Sequence, residues 1–173
     1  MAATFRWPAV FVVWCLITDA VHAQVPDTAY VSPYSVRHDE LTLLAGYAQG
    51  LTGVAELGIG RTTYGVTHHP YSLGYHVGVE ARVDRPERYG VNAGVFLIGG
   101  AAFGLQAVQY FHDGGITVLR PELGVGLQKV KLTARYDIRL AGDDPGGMNT
   151  WSVGLSHAFR LVRLPTDREG VHR

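Results

Sequence analysis

The side chains able to do covalent chemistry are few, and their spacing works against it. Ser156 and His157 are adjacent. Neighbours in an extended strand point to opposite faces, so this pair cannot serve as nucleophile and base. A hydrolase that carries both groups on one strand face needs them two residues apart, and no His here is followed two positions later by Ser. His112-Asp113 has no nearby Ser or Cys to complete a site. His68-His69 precede Pro70; adjacent histidines in a Pro-containing turn read as solvated turn residues rather than metal ligands. Gly58-Ile59-Gly60 and Gly124-Val125-Gly126 lack the helix and the Lys-Ser/Thr that a phosphate loop requires. A single Cys, Cys15, excludes a disulfide framework and a cysteine-rich zinc module. The expectation is therefore no catalysis, no metal and no cofactor.

What remains is ion pairing. Glu40, Glu56, Glu80, Arg82, Arg120, Glu122, Lys131, Arg135, Asp137 and Arg139 fall on one face of their strands by parity, and acids balance bases among them. Arg135, Asp137 and Arg139 recur at spacing two on one strand and would dominate the set. A narrow interior cannot hold unpaired charges cheaply, so these groups are expected to form a hydrogen-bonded network. The alternative is a gated, narrow pore whose pairs rearrange, with little ion selectivity given the balance. The whole chain has 15 Lys+Arg against 15 Asp+Glu, which gives no reason to expect nucleic-acid binding.

Positioning such a set takes strands, and the sequence alternates with period two. Val130, Leu132, Ala134, Tyr136, Ile138 and Leu140 share one face, opposite Lys131, Thr133, Arg135, Asp137 and Arg139. Leu73, Tyr75, Val77, Val79, Ala81 and Val83 oppose Gly74, His76, Gly78, Glu80 and Arg82. Trp151, Val153, Leu155, His157 and Phe159 oppose Ser152, Gly154, Ser156, Ala158 and Arg160. Similar runs cover 40–49, 53–64, 89–98, 101–111 and 119–127, punctuated by Gly50–Gly53, His68-His69-Pro70, Asp84–Arg88, Gly99-Gly100, Asp113–Gly115 and Asp143–Gly147. The link at Gln128-Lys129 has no Gly or Pro. These runs make eight strands, and no helical period of useful length interrupts them.

Eight antiparallel strands fit a sandwich, a soluble ligand barrel or a membrane barrel. A face of Gly, Ser, Arg, Glu, Asp and Lys cannot make a dry soluble core. A membrane barrel reverses the arrangement, with the apolar side to lipid and the polar side to the lumen. Strands of about 9–11 residues suit a tilted span, and inward glycines suit the small bore of eight strands. A secreted, lipocalin-like binding protein is the soluble alternative; it would need Leu132, Tyr136 and Ile138 inside.

Residues 1–23 read as a secretory signal peptide. Arg6 is followed by an apolar run from Pro8 to Thr18, and Val21-His22-Ala23 places small residues before a cut ahead of Gln24. The run is too short for a transmembrane helix. All 22 Gly lie after it. The expected organisation is signal peptide 1–23, N-terminal periplasmic segment 24–39, barrel 40–161 and polar C-terminal tail 162–173.

The last strand carries a resemblance. Ser152-Val153-Gly154-Leu155-Ser156-His157-Ala158-Phe159 resembles the terminal-strand signal by which Gram-negative outer-membrane barrels are delivered to their insertion machinery. Gly154 and Phe159 match that signal; His157 stands where an aromatic is commoner, and residues 160–173 follow where the family usually ends. With the signal peptide and the eight strands, the chain resembles small barrels of the OmpA/OmpX type. That resemblance implies an outer-membrane location, outer-membrane lipid and the insertion machinery as partners, and both termini in the periplasm. Connections 49–53, 84–88, 112–115 and 142–149 would then face outside, and all are short, which argues against a receptor built on long loops. Trp151, Tyr75, Tyr89 and Tyr136 would face lipid. The function expected is a non-enzymatic, structural role in the envelope, with a small pore or a carrier of lipid or hydrophobic ligand as the alternative.

Overall fold

The computed structural model describes residues 36–66, 69–111, 115–142 and 149–165. The expected signal peptide, most of the expected N-terminal segment, His68, His112-Asp113 and the end of the expected tail lie outside the described residues. Among the described residues every regular element is a strand: β1 (Val36–Gln49), β2 (Gly53–Val66), β3 (Pro70–Arg82), β4 (Tyr89–Tyr110), β5 (Ile116–Leu127), β6 (Val130–Tyr136), β7 (Ile138–Ala141) and β8 (Trp151–Leu164). Each pairs antiparallel with its neighbours in the order β4-β3-β2-β1-β8-β6-β5-β7, and a further β4–β5 pairing closes the sheet into a barrel. Closure removes the free edges that an open sheet would leave.

The strands differ from the expected ones in two places, and both differences have local causes. β4 joins the two expected strands 89–98 and 101–111. Residues 89–98 pair with β3 and residues 100–110 with β5, and the Phe111 amide donates to the Tyr89 carbonyl. The run therefore doubles back at Gly99-Gly100, where Gly100 adopts a positive φ of 86° that only glycine takes without strain. Conversely, the expected strand 130–140 is split into β6 and β7 at Asp137. Pairing with β5 stops at Glu122↔Arg135 and resumes at Leu119↔Ile138. The gap faces Arg120-Pro121, and Pro121 has no amide to donate to the ladder. The Asp137 amide turns instead to the Thr150 carbonyl at 2.9 Å.

The barrel also outruns its expected limits of 40 and 161: β1 begins at Val36 and β8 ends at Leu164. A register shift on β8 between its pairs with Leu41 and Thr42 leaves Leu161 as an extra residue, a β-bulge that re-aims the residues after it.

Alternation sorts the side chains. Glu80, Arg120, Glu122, Lys131 and Arg135 are buried, while Tyr75, Val77, Leu123, Leu132, Tyr136, Ile138 and Trp151 are exposed. The interior is not uniformly polar. Leu44, Phe96, Ile98, Ala102 and Ala158 form one buried apolar cluster, and Val108, Tyr110, Ile116 and Val118 form another. Both were hidden in the sequence because they share strands with inward glycines and polar residues.

Inward glycines permit close approach of neighbouring strands. A Cβ at Gly78 would meet the Leu57 carbonyl at 2.6 Å and Gly58 Cα at 2.8 Å. Gly78→Val is expected to destabilise the folded chain by about 1–3 kcal/mol through overpacking. The urea midpoint followed by Trp151 fluorescence measures this.

Candidate functional site

The site is the charged belt across the barrel, and Arg120 is its hub. Arg120 projects inward from β5 next to Pro121, where the ladder to β6 and β7 is open. Its Nη1 and Nη2 donate to the Glu80 carboxylate on β3 at 2.7 and 3.0 Å. Its Nε and Nη2 donate to Asp137 at 2.6 and 2.9 Å. Nη2 also donates to Tyr110 Oη at 2.9 Å, and Nη1 lies 3.7 Å from Glu56 Oε1. Planar guanidinium donors in a fixed fork suit this bridging between carboxylates.

Around the hub the other charges close ranks. The Tyr110 hydroxyl donates to Glu80, and Asn92 Nδ2 donates to the same carboxylate at 3.2 Å. Arg135 on β6 pairs with Glu56 on β2 through both terminal nitrogens, and its Nε lies 2.8 Å from Glu122 Oε1. Lys131 pairs with Glu122, which also accepts from Gln106 Nε2 at 2.9 Å. Small residues make the room. A Cβ on Gly154 would sit 2.5 Å from the Arg135 guanidinium, and one on Gly104 would strike Glu122. Gly154 thus has a packing duty within the barrel, whatever its part in an insertion signal. Phe159 lies on β8 with its ring 4.4 Å from that of His157.

Of the ten charged residues expected in one network, the structure brings together Glu56, Glu80, Arg120, Glu122, Lys131, Arg135 and Asp137. Three stand apart. Arg82 is buried at the edge of the belt and turns to Asp84 in the following turn, with Nε and Nη2 donating at 3.0 and 2.7 Å. These bonds hold the Asp84 carboxyl below the ordinary carboxylate range. Glu40 sits near the other end, beyond Leu44 on β1, with His38 Nε2 at 3.1 Å, Lys129 Nζ at 3.6 Å and Arg160 Nη1 at 3.8 Å. Arg139 corrects the expectation outright: it is exposed, as is every residue of β7. Pairing of β6 with β8 ends at Tyr136↔Trp151, so among the described residues β7 pairs only with β5 and carries Arg139 past the enclosed part of the barrel.

Sequence reasoning missed the uncharged members Tyr110, Asn92 and Gln106. Their inward parity was legible, but β4 carries no charged residue, and parity alone does not say that a Tyr or an Asn has a carboxylate to meet. Two cavities within the belt measure about 10 and 20 Å³, each about the room of one water. The second is lined by His76, Asn92, Gln106 and Arg135, among others. Among the described residues no cluster of His, Cys, Asp or Glu is arranged to hold a metal ion. Ser156 is buried and His157 lies on the opposite face of β8, as their adjacency requires. No protein-family model, curated protein or solved structure matches the chain. The closed eight-stranded barrel is consistent with the OmpA/OmpX-type fold.

A buried cation stripped of its partners, or a carboxylate pair stripped of its cation, is costly. Arg120→Ala is expected to destabilise the barrel by about 3–5 kcal/mol. Combining it with Glu80→Gln should recover part of that loss, because one stranded charge is removed. Equilibrium urea unfolding of the two single variants and the double variant measures the coupling.

Proposed function

We propose that this chain is a non-enzymatic outer-membrane β-barrel whose work is structural: a sealed, ion-paired span that contributes to the envelope. The observation that supports the reading is the pairing of its two faces. The interior holds a belt of bridged charges with water-sized cavities. The outer wall exposes Leu57, Ile59, Leu73, Val77, Val79, Val91, Val95, Leu105, Leu123, Val125 and Leu132. Exposed apolar surface on this scale marks an interaction surface, and a continuous wall around a closed barrel fits lipid.

Aromatic placement agrees. Tyr89 packs near Phe111 with ring centroids 5.9 Å apart, and Tyr136 near Trp151 at 4.5 Å. All four are exposed and lie at the end of the barrel where β3 passes to β4 through residues 83–88 and where β8 begins. Such rings suit the boundary between hydrocarbon and headgroups. The signal peptide read from residues 1–23 supplies the route of export. The terminal-strand motif at Gly154 and Phe159 supplies the contact with the insertion machinery. The cavity sizes favour a sealed belt over a pore.

Two outcomes test this. Folded protein in the outer-membrane fraction should migrate differently on a gel with and without boiling, and should give no single-channel steps in a planar bilayer; recovery in the periplasm would overturn the reading. Val77→Arg, at an exposed position in mid-strand, is expected to lower stability in bilayers by about 2–4 kcal/mol. For a protein whose outer wall met water, the same change would be nearly neutral.

A further inference from the structure

The lumen has a second charged place, apart from the Arg120 belt, at the end where β1 begins and β8 ends. The bulge at Leu161 brings two arginines to it. Without the bulge, Arg160 and Arg163, three residues apart, would fall on opposite faces of β8. With it, Arg160 lies opposite Thr42 and Arg163 opposite Glu40 on β1. Thr42 and Glu40 are both buried, so the two arginines share the lumen-facing side at the mouth. Both arginines are exposed, Arg160 by more than half its side chain.

One carboxylate faces this group. Glu40 Oε1 meets His38 Nε2 at 3.1 Å and lies 3.8 Å from Arg160 Nη1. Glu40 Oε2 lies 3.6 Å from Lys129 Nζ and accepts no hydrogen bond among the described residues. Lys129 Nζ also sits 5.6 Å above the Tyr64 ring, on which His38 stacks at 5.5 Å. Asp39, the next residue on β1, has opposite parity and is taken by Arg61 and Thr63. Among the described residues, Lys129, Arg160 and Arg163 thus gather at the mouth around a single carboxylate. Beneath them Thr42 bonds Thr62 at 3.1 Å, and then comes the buried apolar cluster that includes Leu44 and Phe96. The mouth is a basic cup on an apolar floor rather than the entrance to a channel.

We propose that this mouth binds hydrogen phosphate as a free anion. Guanidinium forks and an ammonium suit phosphate oxygens. Arg160 and Lys129 stand beyond hydrogen-bond distance of Glu40, so they can turn to an anion without giving up a hydrogen bond. Glu40 decides which anion. An unpaired carboxylate oxygen repels a ligand that has only lone pairs to offer, but it accepts a hydrogen bond from a P–OH. Hydrogen phosphate carries that proton as well as oxygens for the cations. Sulfate and a phosphodiester headgroup carry none at neutral pH. The cup belongs to the lumen, so the proposal holds whichever medium the outer wall meets.

Isothermal titration calorimetry of the folded full chain in an uncharged detergent at neutral pH tests it. Sodium phosphate should bind about tenfold more tightly than sodium sulfate at matched ionic strength, and both should weaken with added sodium chloride. R160Q and R163Q should each weaken phosphate about tenfold, whereas R85Q/R88Q at the opposite end should leave it unchanged. E40Q separates the site from a general attraction of anions to cations: it should weaken phosphate and strengthen sulfate, so that the preference disappears. Circular dichroism certifies that each variant is folded, and the phosphate-to-sulfate ratio of the wild type needs no variant. A folded wild type that binds neither anion, or binds both equally, would overturn the proposal. Unchanged phosphate binding by R163Q would remove the site from this mouth and overturn it as well.

Discussion

Burying the Arg120 guanidinium is the constraint to which the rest of the barrel answers. A cation removed from water needs carboxylates with good geometry on several sides, and Arg120 obtains them from β3 and from the break between β6 and β7. That break exists because Pro121 cannot continue the ladder. One residue thus opens the wall where its neighbour needs Asp137 to lean in. Glu80 in turn is satisfied by Tyr110 and Asn92 as well as by Arg120, so the hub ties β3, both arms of β4, β5 and the β6–β7 junction to one level of the barrel.

The narrow bore explains the glycine content. Eight strands leave room for side chains to fill the interior and little more. Long side chains such as Arg135 and Glu122 fit where the neighbouring strand carries no side chain, at Gly154 and Gly104. Large and small inward residues are therefore complementary between neighbouring strands. The two apolar clusters flank the belt and take the charged groups further from water, which strengthens each pairing and raises the penalty for losing a partner.

Much of this was legible in the sequence. Alternation with period two gave the strands, their inward faces and most of the belt, because a closed sheet with one polar and one apolar face leaves parity little freedom. What escaped had specific causes. The Arg139 side chain follows the parity of Asp137, but its strand runs past the end of its β8 partner, an event set by tertiary register rather than by local pattern. The place of Arg163 was hidden by a bulge, which a single sequence does not announce. Phe96, Ile98, Val108 and Ile116 were on the inward face by parity, yet an interior described as polar had no place for them; the belt needs apolar flanks, and those residues are the flanks. Asn92, Gln106 and Tyr110 were on the right face without any sign of which charge each would meet.

The medium that the outer wall meets decides between a membrane barrel and a soluble one. The direct measurement attaches a fluorophore at single positions, through Val77→Cys and Leu132→Cys on the wall and Leu51→Cys in the turn after β1, in reconstituted protein with Cys15 absent. Quenchers carried on lipid acyl chains should extinguish the two wall sites and spare the turn, while a water-soluble quencher should do the reverse. Quenching of Val77 and Leu132 from water, with no effect from the lipid-borne probe, would contradict the account.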